Sequence, residues 1–103
     1  MQFDAVAALF NDVETVELTT WVERGWVQPD AAGTAWEFHE IDVARVRLIR
    51  TLRRDMDVRE DAMPLVLSLL DQVYELRGTV QRLLDAVGKQ PSEVQAAVLA
   101  ALR

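Results

Sequence analysis

The sequence predicts a mainly α chain: a helix-turn-helix, a small two-stranded wing, a third helix and a long C-terminal helix. Three observations predict it. Two short segments with helical apolar spacing are separated by Asn11-Asp12 and closed by Gly25, the pattern of two helices joined by a tight turn. The turn-rich stretch Asp30-Ala31-Ala32-Gly33-Thr34 leads into Ala35-Trp36-Glu37-Phe38, whose alternation reads as a half-buried strand. Beyond residue 60 an apolar repeat sets in and persists for more than three heptads. The division that follows is residues 1–55 as the winged helix-turn-helix domain, 56–88 as a long amphipathic helix for dimerisation, and 91–103 as a short last helix.

Each element has a local cause. Asp4 is placed to N-cap a first helix carrying Val6, Leu9 and Phe10 on one face. A second helix runs from about Glu14 to Arg24 with Leu18, Trp21 and Val22 inward, and Gly25 ends it. Residues 26–38 form the wing, and Pro29 limits the regularity of its first strand. The third helix starts near Ile41. Its inward stripe is Ile41, Ala44, Leu48 and Leu52, widened by Ile49, while Val43 and Val46 fall to a second side. Arg45, Arg47, Arg50, Arg53 and Arg54 read as a solvated face with a C-terminal cluster that suits the helix dipole.

Asp57-Val58-Arg59-Glu60 has capping-box spacing. After it, Ala62, Val66, Leu69, Val73, Leu76, Val80, Leu83 and Val87 alternate steps of 4 and 3. Valine fills heptad position a, leucine or alanine position d, and Leu70 and Leu84 widen the stripe at e. A stripe this long exceeds what a domain of about 55 residues covers, so a homodimer through Val66, Leu69, Val73, Leu76, Val80 and Leu83 is expected. Valine at a with leucine at d suits parallel strands by the general rule. Pro64 sits in the tolerant first turn. Ser92 with Gln95 signals a cap for the last helix, which carries Val94, Val98, Leu99 and Leu102.

Composition excludes several function classes. Of 103 residues, 50% are hydrophobic and 27% charged, so the chain can bury a core. It has no cysteine and one histidine, which removes disulfides, thiolate metal sites and multi-histidine zinc. No constellation of acid, base and nucleophile and no glycine-rich phosphate loop is present, so neither an enzyme nor a cofactor is expected. No membrane span or signal peptide is visible, and a cytoplasmic location is the expectation. The net charge is −6, of which residues 1–60 carry −5 and residues 61–103 carry −1. Such acidity opposes a polyanion and favours a basic partner.

The order of elements resembles the MerR-type transcription regulators. Val13, Leu18, Gly25 and Pro29 stand where that family has its turn valine, second-helix leucine, post-helix glycine and wing proline. The DNA-contacting positions differ. The regulators carry Arg-Tyr-Tyr-Glu in the second helix, where this chain has Thr19-Thr20-Trp21-Val22. Their wing arginine before an aromatic is missing, with Trp36 two before Phe38, and Glu14, Glu17 and Glu23 stand in the second helix against only Arg24.

Within that superfamily the chain is more similar to the chaperone-modulatory proteins of the CbpM type. The shared marks are Gly25-Trp26-Val27-Gln28-Pro29, the wing strand Trp36-Glu37-Phe38, and Leu69-Leu70-Asp71-Gln72-Val73-Tyr74-Glu75-Leu76. The helix after Pro91 departs from the shortest members. The resemblance implies a MerR-like winged helix-turn-helix with a long C-terminal dimerisation helix, paired antiparallel. It also implies an adaptor that binds the J-domain of a DnaJ-like co-chaperone, CbpA, and blocks its action on Hsp70. The alternative is a DNA-binding regulator without an effector domain. The partner-facing carboxylates are Glu14, Glu17 and Glu23, or Asp71 and Glu75. Trp21 is a hot-spot candidate if exposed, Trp36 is expected in the core beneath the wing, and His39 is a surface or capping residue.

Overall fold

A computed structural model describes residues 1–103. The element order is α1 (Phe3–Leu9), α2 (Thr15–Glu23), β1 (Asp30–Ala32), β2 (Ala35–Glu37), α3 (Glu40–Arg50), a π-helical turn (Thr51–Asp55), a 3-10 turn (Glu60–Ala62), α4 (Met63–Gly88) and α5 (Ser92–Ala101). The mainly helical fold with a two-stranded wing and a long fourth helix is the one the sequence predicts. The chain forms two compact units, Met1–Pro64 and Leu65–Arg103.

In the first unit α1 and α2 form the helix-turn-helix, but the capping differs from expectation at α1. Its N-cap is Gln2, and Asp4 lies inside the first turn, where a carboxylate still complements the helix dipole. At α2 the N-cap is Glu14, whose backbone N–H donates to Glu17 Oε1 at 3.2 Å. Gly25 adopts φ +76°. That left-handed residue completes a Schellman closure: Gly25 N donates to Val22 O at 3.0 Å and Trp26 N to Trp21 O at 2.9 Å. Trp21 and Trp26, both buried, bracket the closure.

The wing pairs β1 and β2 antiparallel, with Ala31 opposite Trp36. Gly33, at φ +65°, makes its turn. Trp36 is half-buried rather than core; Phe38 takes the buried place, at 1% exposure. Phe3, Trp36 and Phe38 form an aromatic trio with centroids 6.0 to 6.5 Å apart. His39 N-caps α3, as expected of a capping residue, and its N–H donates to Asp42 Oδ2 at 2.8 Å.

The inward stripe of the third helix is corrected at its start, at Ile41 and Ala44, while Ile49 and Leu52 are buried as expected and Leu48 is half-buried. Asp42, Val46, Ile49 and Leu52 are buried, whereas Ile41 is 77% exposed and Ala44 is also exposed. Apolar spacing admits both phases. The one adopted is set by the capping of Asp42 onto His39, which turns Ile41 outward. The helix then widens into the π turn, where Met56 N donates to Thr51 O at 3.1 Å. Asp57 follows at φ +55°. It therefore terminates one helix instead of capping the next, and the expected capping box at Asp57–Glu60 does not form.

In the second unit α4 runs unbroken to Gly88. At α5 the N-cap is Pro91, and Ser92 is already the first helical residue. Gln95 does not complete a capping box; its Nε2 donates to Gly88 O at 3.3 Å and Gln90 O at 2.8 Å.

Candidate functional site

The outward face of α2 is the helix surface a regulator of this architecture would present to DNA. Val16, Thr19, Thr20 and Glu23 share that face at helical spacing. Val16 is 71% exposed. The two threonine hydroxyls are turned back into the helix. Thr19 Oγ1 donates to Thr15 O and Thr20 Oγ1 to Val16 O, each at 2.9 Å, so neither hydroxyl proton is available to a base edge. The face ends in two carboxylates, Glu14 at the N-cap and Glu23 in the last turn, both exposed and without a cationic partner.

The arginines of residues 1–60 are spent inside the unit. Arg24 pairs with Glu60 and lies 5.4 Å from the Trp26 ring centroid. Arg45 Nε donates to Trp26 O at 2.9 Å, and Arg47 covers the Phe10 ring at 5.7 Å. Arg50 Nε donates to Asp12 Oδ1 at 2.7 Å. Arg53 Nη1 donates to Val58 O at 2.7 Å. Arg54 Nη2 donates to Glu17 Oε1 at 2.5 Å and to Asp12 O at 3.0 Å. Arg59 lies 3.5 Å from Asp61. At each of these seven positions a phosphate would compete with a carboxylate, a carbonyl or an aromatic face already in contact with the guanidinium.

Electrostatics follow the same contacts. The hydrogen bond from Arg50 holds the Asp12 carboxyl below the usual carboxylate range, and the same bond pushes the Arg50 guanidinium up. Asp12 occupies the turn between α1 and α2. Arg50, one helical turn before Arg54, therefore fastens the end of α3 to that turn, while Arg54 fastens the following π turn to the start of α2.

The expected site residues separate accordingly. Glu14 and Glu17 come together at the start of α2, but Glu17 is engaged by Arg54 and the Glu14 N–H. Glu23 stands at the other end of α2. Trp21 is 4% exposed; the apolar residue that reaches the surface of this helix is Val16, which sequence spacing left unmarked. Asp71 and Glu75 lie one turn apart on α4 in the second unit, both exposed. Of the dimer residues, Leu69, Val73, Leu76, Val80 and Leu83 are 42 to 65% exposed, and Val66 is half-buried. No helix is long and apolar enough to cross a membrane.

Two short helices joined by a turn, a wing, a third helix and a long fourth one define a winged helix-turn-helix protein. The family model for MerR HTH family regulatory proteins matches residues 8–85, and the chain belongs to that family. Comparison with curated proteins and with solved structures finds no match.

Proposed function

We propose that this chain is a chaperone modulator of the CbpM type: an adaptor that binds the J-domain of a DnaJ-like co-chaperone and keeps it from its Hsp70. The observation that carries the reading is the inversion of charge at the helix-turn-helix. Every arginine of residues 1–60 has an intramolecular partner, while Glu14 and Glu23 stand exposed at the two ends of α2. A surface whose cations are paired and whose exposed carboxylates, Glu14 capping α2 and Glu23 in its last turn, have no cationic partner suits a basic protein helix and repels a phosphate backbone. The CbpM-like marks after α2, in the wing and in α4 support the same reading. Val16 supplies the apolar contact that sets the lifetime, and the carboxylates steer the encounter.

Calorimetry against a J-domain tests it. Reversal of Glu14 and Glu23 to lysine weakens binding, and affinity falls without vanishing as salt rises from about 50 to 500 mM, over which the Debye length shrinks severalfold. Reversal of Asp71 and Glu75 is the parallel arm, and a loss confined to it moves the contact to α4. The competing reading, a DNA-binding regulator, draws its support from membership of the MerR family. Salt-sensitive binding to duplex DNA, with none to a J-domain, would establish it instead.

A further inference from the structure

An open cleft of about 770 Å³ lies in the first unit, lined by Arg24, Trp26, Arg59, Glu60, Asp61 and Pro64. Its size is that of small-molecule sites, which run from roughly 300 to 1,000 Å³. The lining carries two guanidiniums and two carboxylates and is neutral overall. Arg24 pairs with Glu60, and Arg59 lies 3.5 Å from Asp61. Trp26 and Pro64 supply the apolar wall.

Trp26 is held rigidly. It is 7% exposed. Its backbone N–H donates to Trp21 O and its carbonyl accepts from Arg45 Nε, each at 2.9 Å. The indole Nε1–H, by contrast, donates to no acceptor. No buried side-chain nitrogen or oxygen is left unpaired, so this donor reaches solvent from an otherwise buried ring. A buried tryptophan normally spends its N–H on a partner. The Arg24 guanidinium, 5.4 Å from the same ring, is a second donor on that wall. Glu60 Oε1 takes Arg24, and neither Glu60 oxygen takes the indole.

We infer that this cleft binds a small organic carboxylate, with one oxygen on the Arg24 guanidinium and the other on Trp26 Nε1–H, and that Glu60 is the internal plug the ligand displaces. A carboxylate has two oxygens for the two donors and keeps the charge-assisted bond that Arg24 already makes. Its apolar body lies against the Trp26 ring and Pro64. A phosphate brings more negative charge beside Glu60 and Asp61, and a neutral amide exchanges poorly with Glu60 at a guanidinium. Arg24 and Glu60 are both half-exposed, so the exchange costs only a surface ion pair. The site stands apart from the partner of α2.

Titration with 3-phenylpropionate tests it, followed by nuclear magnetic resonance of the three tryptophan indole N–H signals. Trp26→Phe identifies the Trp26 signal by its loss. In the wild type that signal moves downfield and saturates, while 3-phenylpropionamide leaves it nearly in place. Glu60→Gln removes the plug and tightens binding about two- to fivefold, the strength of an exposed ion pair. Asp61→Asn removes the same charge from the same lining without touching the Arg24 pair, and tightens binding less. Glu60 and Asp61 are both exposed, so these two variants keep the fold. Arg24→Gln and Trp26→Phe each weaken binding, read at the Gly25 amide. A Trp26 signal that does not move, an equal response to the amide, or a Glu60→Gln variant that binds no tighter than Asp61→Asn would each overturn the assignment.

Discussion

Arg54 Nη2 donates both to Glu17 Oε1, at 2.5 Å, and to the carbonyl of Asp12, at 3.0 Å. One guanidinium thus ties the π turn that follows α3 to the first turn of α2 and to the turn before it. The residue that sequence reasoning placed on a solvated face is a strut of the helix-turn-helix, and the carboxylate it placed on the partner surface is that strut's anchor.

Arg54→Ala is expected to destabilise the chain modestly. Both side chains are partly exposed, at 35% and 27%, so the loss is about 1 kcal/mol or less. Chemical denaturation reads it, with a lowered midpoint and an unchanged slope. The effect should weaken in high salt.

The Asp12–Arg50 contact predicts an acid-limb effect. The folded-state pKa of Asp12 is depressed. Its contribution is therefore present above the unfolded carboxylate value and is lost as pH falls through the folded one. Asp12→Asn should be less stable than wild type at neutral pH, and the gap should begin to close below about pH 4. Thermal unfolding of both proteins across the acid range measures it; a gap that widens on acidification contradicts the assignment.

Trp21 and Val16 should behave oppositely. Trp21→Ala removes a buried indole and costs about 3–5 kcal/mol, enough to unfold a marginal domain. Val16→Asp alters a residue that is 71% exposed and should change stability by about 0.5 kcal/mol or less. If α2 is the partner surface, only the Val16 variant stays folded and loses J-domain binding, as seen by denaturation and calorimetry on the same samples.

Gly25→Ala isolates backbone strain. No atom lies within 4 Å of the added Cβ, but the residue sits at φ +76°. The expected cost is about 1 kcal/mol, and Gly25→Asn, better tolerated in that conformation, should cost less. Equal losses for the two would point away from φ as the cause.

Element order, the wing, the Gly25 closure and the α4 heptads were legible in the sequence because each is written in local spacing or in one conformationally demanding residue. What local spacing left open, tertiary contacts decided. The phase of α3 was ambiguous between two apolar stripes until Asp42 capped His39 and turned Val46 inward and Ile41 outward. Asp57 could cap a following helix or terminate the preceding one, and its left-handed backbone after the π turn chose the second. The candidate site depended most on the fold. Glu14, Glu17 and Glu23 are alike in sequence, and only the approach of Arg54, 37 residues away in the chain, separates the neutralised carboxylate from the two that remain exposed. Ion pairs between distant segments leave no periodic trace, so their partners are set by how the helices pack.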